Sequence, residues 1–333
     1  MMTVATTRGN GNRVQGTAPR VSIGMPVYNG ENFIREACDS ILAQTFMDFE
    51  LIISDNGSTD ATDAICREYA ARDGRVRYYR SERNRGGSWN RNNAFFLARG
   101  LYFMWHDHDD RIAPEFVARC VEVLDRSPEV VNCHTNTTIV DEHNTHLRHY
   151  VEGAALRSTS PFERLRHYGR HDRSCPLCSL YFGLMRRDVL AQTPLFQPYI
   201  NAELSLMSEL ALRGQFYEIP EHLFIRRDHP GISTRRYTNA KDIIVWANPA
   251  KAGKAGWDGW KVILARLRSI SVVPMSPFDR MRSYLYTLEL FGHLAKGSIR
   301  DRKDRLRLRR ELMRGGEVDA LVHPDRKSLT RRA

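Results

Sequence analysis

Residues 21–62 read VSIGMPVYNGENFIREACDSILAQTFMDFELIISDNGSTDAT, and this stretch decides the fold. Val21–Met25 is a short apolar strand stopped by Pro26, and Phe49–Ser54 is an unbroken apolar run suited to a strand buried on both faces. Between them, Glu31–Gln44 repeats Phe33, Ala37, Ile41 and Ile34, Cys38, Leu42 at i, i+4, the spacing of an amphipathic helix. The alternation continues with a helix over Asp60–Arg72 capped by Ser58 or Thr59, a strand over Arg75–Tyr79, a helix over Ser88–Ala98 and a strand over Leu101–His106. Strands alternating with helices predict an α/β fold with a mostly parallel, doubly wound, Rossmann-like sheet.

Outward from that core the pattern loosens. Glu115–Asp125 reads as a helix, Val130–Val140 as a strand, Pro161–Tyr168 as a short helix, Ser179–Leu184 as a strand, Ala202–Arg213 as a helix and Phe216–Arg227 as a strand. After Tyr237 only helical patterns occur, one of them over Pro277–Ala295. Residues 1–19 lack hydrophobic periodicity and are expected to be a disordered leader. The expected organisation is one α/β domain over 20–235, with halves over 20–112 and 113–235, and a basic helical C-terminal extension over 236–333.

The net charge of +11 sits mainly at the ends. Residues 1–20 carry three Arg and no acid, and residues 297–333 carry twelve Lys/Arg against six Asp/Glu, leaving a nearly neutral body. Basic ends suit something anionic, such as a membrane leaflet or nucleic acid, or a solvated helix, while the near-neutral body argues against the alternative of a non-enzymatic nucleic-acid binder. Met1–Arg20 has no apolar core of an export signal, and six Cys in 333 residues are too few for a disulfide scaffold, so a reducing cytoplasm is expected. The longest apolar stretch, Ala94–Trp105, is broken by Arg99 and Gly100 and is too short for a membrane span.

In doubly wound sheets the ligand site lies beyond the carboxyl ends of the strands. The first strand is followed by Pro26-Val27-Tyr28-Asn29, the second by Asp55-Asn56-Gly57-Ser58-Thr59-Asp60 and the fourth by Asp107-His108-Asp109-Asp110. Asp107 and Asp109 can converge on a hard divalent ion, or the acids can simply favour the start of the next helix. Asp55 can accept a hydrogen bond from a nucleobase ring N–H or order its turn, and Tyr28 can stack on a base or sit as a rim aromatic. His106 and His108 read as surface or turn residues, with metal ligation as the alternative. Cys175-Pro-Leu-Cys178, with His167 and His171 nearby, reads as ordinary small residues in a loop in preference to a zinc site.

As an ordered set these strings carry a resemblance. Residues 20–230 resemble the large inverting family 2 of glycosyltransferases, nucleotide-diphospho-sugar transferases of GT-A fold, through VSIGMPVYNGENFIREACDSILAQTF, FELIISDNGSTDAT, RNRGGSWNRNNAFFLARG, HDHDD and AELSLMSELALRGQFYEIPEHLFIRRDHP. The resemblance implies that Tyr28 and Asp55, with Pro26 and Asn29 beside them, hold the nucleobase and that Arg91 lies near the nucleotide. It implies Asp107 against the ribose and phosphates, Asp109 and His229 on a Mn²⁺ or Mg²⁺ ion at the diphosphate, Arg227 at the diphosphate and Glu203 as general base. Glu203 stands where many relatives have Asp, Asn56 replaces a frequent second Asp, and Glu209 reads as a structural acid. The resemblance makes 20–112 the nucleotide-binding half and 113–235 the acceptor half. The implied reaction moves a sugar from a nucleotide-diphosphate donor to an acceptor hydroxyl. The Arg-rich segment 300–314 can lie on anionic lipid headgroups as a peripheral membrane contact, which suits a glycolipid, polyprenyl-linked or cell-envelope polysaccharide acceptor, or it can pack on the core or mediate oligomerisation. A nucleotidyltransferase is the rival, but such enzymes generally have a basic, Gly-rich loop after the first strand, and no Lys or Arg occurs here before Arg35.

Overall fold

The computed structural model describes residues 18–292, apart from 152, 154–155, 175–178, 233–239 and 253–258. Packing divides the chain into two units, residues 1–283 and 284–333, and the described part of the second, 284–292, is helical. Segment 300–314, Cys175 and Cys178 lie outside the described residues.

In the first unit, strands β1 (Val21–Val27), β2 (Phe49–Asp55), β3 (Val76–Arg80) and β4 (Tyr102–Trp105) alternate with helices α1 (Ile34–Leu42), α2 (Thr62–Arg72) and α3 (Gly87–Phe96). Every residue of β1, β2 and β4 is buried, as expected for strands covered on both faces. Strand β1 runs through Pro26 instead of stopping before it. The Gly24 carbonyl accepts from the His106 N–H, so even-numbered residues of β1 direct their backbone groups toward β4. The pairing of β4 with β1 ends at Trp105 opposite Gly24, so the N–H that Pro26 lacks has no strand partner to lose.

The rest comprises β5 (Arg111–Ile112), α4 (Phe116–Arg126), β6 (Val130–Asp141), β7 (His146–Tyr150), α5 (Pro161–Ser174), β8 (Leu184–Arg186), α6 (Arg187–Leu190), α7 (Ala202–Arg213) and β9 (Gln215–Asp228). Helices α8 (Ala240–Ala247) and α9 (Gly259–Val272) follow, and residues 277–283 are helical too. The strand expected over Ser179–Leu184 is instead a 3-10 turn, Ser179–Phe182, leading into the short β8.

The sheet order is β3-β2-β1-β4-β8-β6-β9-β5, with β7 paired to β6. Strand β8 is antiparallel to both β4 and β6, while β6 and β9 are parallel. Two reversals cancel. The carboxyl ends of β1, β2, β4, β6 and β9 therefore share one edge, which brings residues as distant as Tyr28 and His229 to the same side of the sheet. Helices α1, α2 and α4 cover one face, and α3, α5 and α7 the other. Gly24 permits the close seating of α3, because a Cβ there would lie 2.8 Å from Phe103 and 3.0 Å from Ala94.

Candidate active site

The loops after β1 and β2 are laced together. Asn29, in left-handed backbone at φ 53°, donates its N–H to Ser58 Oγ and accepts from the Thr59 N–H on its side-chain oxygen. Gly30 N donates to Thr62 Oγ1, and Glu31 accepts from Ala61 N while donating its own N–H to Asp60. Gly57 has φ 77°, and a Cβ there would strike the Arg83 backbone at 2.8 Å, so this turn needs glycine. The result is a preorganised rim from which Tyr28 projects, 38% exposed.

Asp55 sits below that rim and is only 1% exposed. One carboxylate oxygen accepts from Ser58 N at 2.8 Å and Ser58 Oγ at 2.6 Å, and the other from Tyr78 Oη at 2.7 Å, with Arg80 Nε at 3.4 Å. Tyr78 Oη also lies 2.7 Å from Asp63, and burial together with the two carboxylates pushes its pKa upward. Asn56 donates to Asn84 and the Gly86 carbonyl and accepts from Arg85 N, fastening the entry to α3.

From α3, Asn90 donates to the Val27 carbonyl and accepts from Ser54, pinning the helix across the ends of β1 and β2. That anchorage aims Arg91, whose Nη2 lies 3.3 Å from both Asp107 oxygens. The guanidinium stacks over Phe196 and Trp246 at 5.5 and 5.2 Å. Burial opposes its charge, but Asp107, Tyr181 and Glu203 more than offset this and hold it charged. Tyr181, from the 3-10 turn, completes the group with Oη 3.4 Å from Asp107. Neither Asn90 nor Tyr181 stood out in the sequence: one reads as an ordinary helix residue, the other as an apolar strand position.

Asp109 and His229 meet at 3.0 Å. Burial works against the Asp109 charge, yet His229 and His108 hold its pKa low. Asp110 is the opposite case: burial, with Asp109 and Asp107 close by, pushes its pKa well up, although it accepts the Arg227 N–H at 2.9 Å. His106 is fully buried in place of the expected surface position, with neither ring nitrogen partnered among the described residues, and burial lowers its pKa to about 4. Phe224 lies 6.2 Å away, and an apolar neighbourhood keeps this imidazole neutral.

Arg227 is 1% exposed. All three guanidinium nitrogens donate within the protein, to the Asp109 and Glu142 carbonyls and to Glu36 at 2.8 Å, and the group stacks on Phe33. Glu203 lies in the first turn of α7, which follows Asn201 at a left-handed φ of 59°, and the Glu203 charge is felt by Arg91, Tyr181 and Tyr199. Glu209 is buried between Arg213 at 2.7 Å and Ser269 Oγ at 2.7 Å, serving to fasten α9 to α7. A cavity of about 230 Å³ borders α7, walled by Tyr199, Ser205 and Leu206 on one side and Lys261, Leu264 and Arg268 on the other.

An acidic mouth at the carboxyl edge of a Rossmann-like sheet, faced by laced loops and flanked by helices on both sides, defines an α/β fold of GT-A type. The model of the family described as glycosyl transferase family 2 matches residues 22–193, just over half of the chain, and the chain belongs to that family. Over 116 residues it is 38% identical to the uncharacterized glycosyltransferase EpsJ of Bacillus subtilis (strain 168), covering 34% of this chain and 33% of that one. Over 123 residues it is 36% identical to the chondroitin synthase of Escherichia coli, covering 37% and 18% respectively. The chain thus spans a third or less of the length of the curated relatives it matches first. Among solved structures it resembles S. aureus TarS 1–349 in complex with UDP-GlcNAc, with a TM-score of 0.58 at 18% identity over 81% of this chain and 71% of that one, a likeness of fold.

Proposed function

We propose that this chain is a metal-dependent, inverting glycosyltransferase that moves a sugar from a nucleotide-diphosphate sugar to an acceptor hydroxyl. One observation carries the reading: Asp107 lies against Arg91 and Tyr181, and both of these side chains also feel the charge of Glu203. A carboxylate base and a phosphate-side acid brought together at one sheet edge are what a single displacement needs.

Glu203 takes the proton of the acceptor hydroxyl as that oxygen attacks the anomeric carbon. Attack on the face opposite the diphosphate inverts the configuration, and no covalent nucleophile takes part. The rim formed by Pro26, Tyr28 and Asn29 holds the base, with Tyr28 as the exposed stacking surface and Asp55 as the group that stiffens the rim from beneath. Asp107, steered by Arg91, faces the ribose and phosphates.

Asp109 and His229 fit a divalent ion such as Mn²⁺ or Mg²⁺: an oxygen and a nitrogen donor stand 3.0 Å apart, and Asp110 beside them is pushed toward its neutral form by burial and then by the neighbouring Asp109 charge. Among the described residues no cluster of three or more such side chains is arranged for a metal, so donor phosphates would complete the shell. When bound, the ion neutralises charge on the departing diphosphate.

The cavity beside α7 supports an acceptor approaching from the side of Tyr199. We assign that acceptor to glycolipids, polyprenyl-linked sugars or cell-envelope polysaccharides, on the strength of the basic segment 300–314, which also suits peripheral contact with the anionic inner face of a cytoplasmic membrane. No helix among the described residues is long and apolar enough to cross a membrane.

The test is a thermal-shift and diphosphate-release screen of UDP-, GDP- and dTDP-sugars with Mn²⁺, Mg²⁺ or EDTA. One donor class stabilises the chain only with metal, and Glu203→Gln keeps that stabilisation while slowing release about 10²–10⁴-fold. A chain that no donor stabilises, or a Glu203→Gln variant with unchanged turnover, overturns the proposal.

A further inference from the structure

From the geometry of β9 we infer that Arg226, and not its neighbour Arg227, is the cation that contacts the donor diphosphate. This rests on the transferase reading and adds a residue to it. Successive side chains of a strand point to opposite faces, so Arg226 and Arg227 cannot serve the same side.

Arg227 shares its face of β9 with Ile225 and, across the pairing with β5, with Arg111. Its guanidinium is held under Phe33 by Glu36 and by two carbonyl oxygens, one of them that of Asp109. Such a group braces the Asp109 loop from behind. It has almost no surface left to offer a ligand.

Arg226 shares its face with Phe224. The Phe224 ring stacks on Phe182 at 4.9 Å and approaches His106 at 6.2 Å, so this face of β9 looks toward the 3-10 turn and the end of β4. Two residues further toward the strand's carboxyl end, Arg226 comes out beside Tyr181 and the acidic loop. Its partial exposure fits that place, and both Tyr181 and Asp110 feel its charge. Tyr181 in turn touches Asp107 and feels Arg91 and Glu203. Arg226 therefore stands close to Tyr181 and the acidic loop, on the face of β9 that Arg227 does not share. A guanidinium there would donate to phosphate oxygens as charge accumulates on the departing diphosphate.

The experiment is calorimetric titration, with Mn²⁺ present, of the wild type, Arg226→Ala and Arg226→Lys with UDP, GDP and dTDP and with the matching nucleosides. The wild type binds one diphosphate, Arg226→Ala weakens that diphosphate about tenfold or more while leaving the nucleoside unchanged, and Arg226→Lys recovers part of the loss. Melting curves of each variant identify any that are misfolded, and Arg226→Lys carries the comparison if Arg226→Ala is. Diphosphate affinity that is unchanged in a folded variant, or lost in equal proportion for nucleoside and diphosphate, overturns the inference. A wild type that binds none of the three diphosphates overturns the transferase reading beneath it.

Discussion

Arg91 and Asp107, sixteen residues apart on α3 and just past β4, face each other with Nη2 3.3 Å from both carboxylate oxygens. The pair is largely buried, with aromatic rings over the guanidinium, so losing one partner strands the other in a poorly solvated place. Arg91→Met keeps the length and the ring contacts while removing the charge. It is expected to lower stability by about 1.5–3 kcal/mol, read by urea denaturation, and to lower kcat more than donor KM. Stability equal to that of the wild type would mean that the pair is solvated and contributes nothing.

The Asp109–His229 pair predicts a specific metal phenotype. With two protein donors close together among the described residues, an ion held there would depend on both. His229→Ala is expected to raise the Mn²⁺ concentration for half-maximal activity about 10–100-fold, and excess Mn²⁺ to restore much of the rate. Asp109→Ala is expected to resist such rescue, because it removes the charged donor. Identical Mn²⁺ curves for wild type and His229→Ala would remove His229 from the metal.

How much of this was readable beforehand depends on how strongly each element is marked. Strands β1, β2 and β4 follow directly from their apolar runs, because all three are buried on both faces and admit no polar residue into the run except small or bonded ones. The acidic loop stood out for the same reason, since three carboxylates directly follow a wholly apolar strand. Strand β7 was missed because HLRHY is polar and largely exposed, so period says nothing about it. The apolar Ser179–Phe182 segment resembles a strand but coils into a turn that brings Tyr181 to Asp107. Nor could counting decide between Arg226 and Arg227. The pairing of β6 with β9 shifts register at three places, and between Asn136 and Thr137 one step on β6 matches two on β9, which changes the parity that faces inward.

Gly24 links core packing to the site. Phe103, 2.8 Å from the position a Cβ would take, is itself wedged edge-on against Phe95 and Trp105 and has no room to yield. Gly24→Ala is expected to destabilise the protein by about 1–3 kcal/mol, checked by chemical denaturation. The strain falls on α3, so the placement of Arg91 relaxes with it and nucleotide affinity falls in the same variant. A destabilised Gly24→Ala protein with undiminished nucleotide affinity would separate the helix's seating from the aim of Arg91.

Acid sensitivity should arise far from the reaction, at the amino-terminal edge of the sheet. Glu50 is fully buried on β2, where Ser22 Oγ (2.7 Å) and Arg99 N (2.9 Å) donate to one oxygen and Arg77 (2.7 Å) and Arg99 Nη2 (2.8 Å) to the other. Burial opposes the carboxylate charge, but these donors outweigh it and hold the pKa below its ordinary 4.5. A group with a lowered folded pKa contributes stability that is fully present above the unfolded value and is lost as pH falls through the folded one, because the unfolded chain takes up the proton first. Thermal melts from neutral pH down to about 3 should therefore show an acid limb that begins below 4.5 and is shallower in Glu50→Gln. At neutral pH that variant should itself lose about 1–3 kcal/mol, since the donors around residue 50 lose a charged acceptor while Arg99 stays half exposed to water. An acid limb of unchanged steepness in Glu50→Gln would place the sensitivity elsewhere. The Asp107–Asp110 loop would be the next candidate, because there the sign differs from group to group: Asp109 is held low while Asp110 is pushed up, so their contributions to acid stability oppose each other.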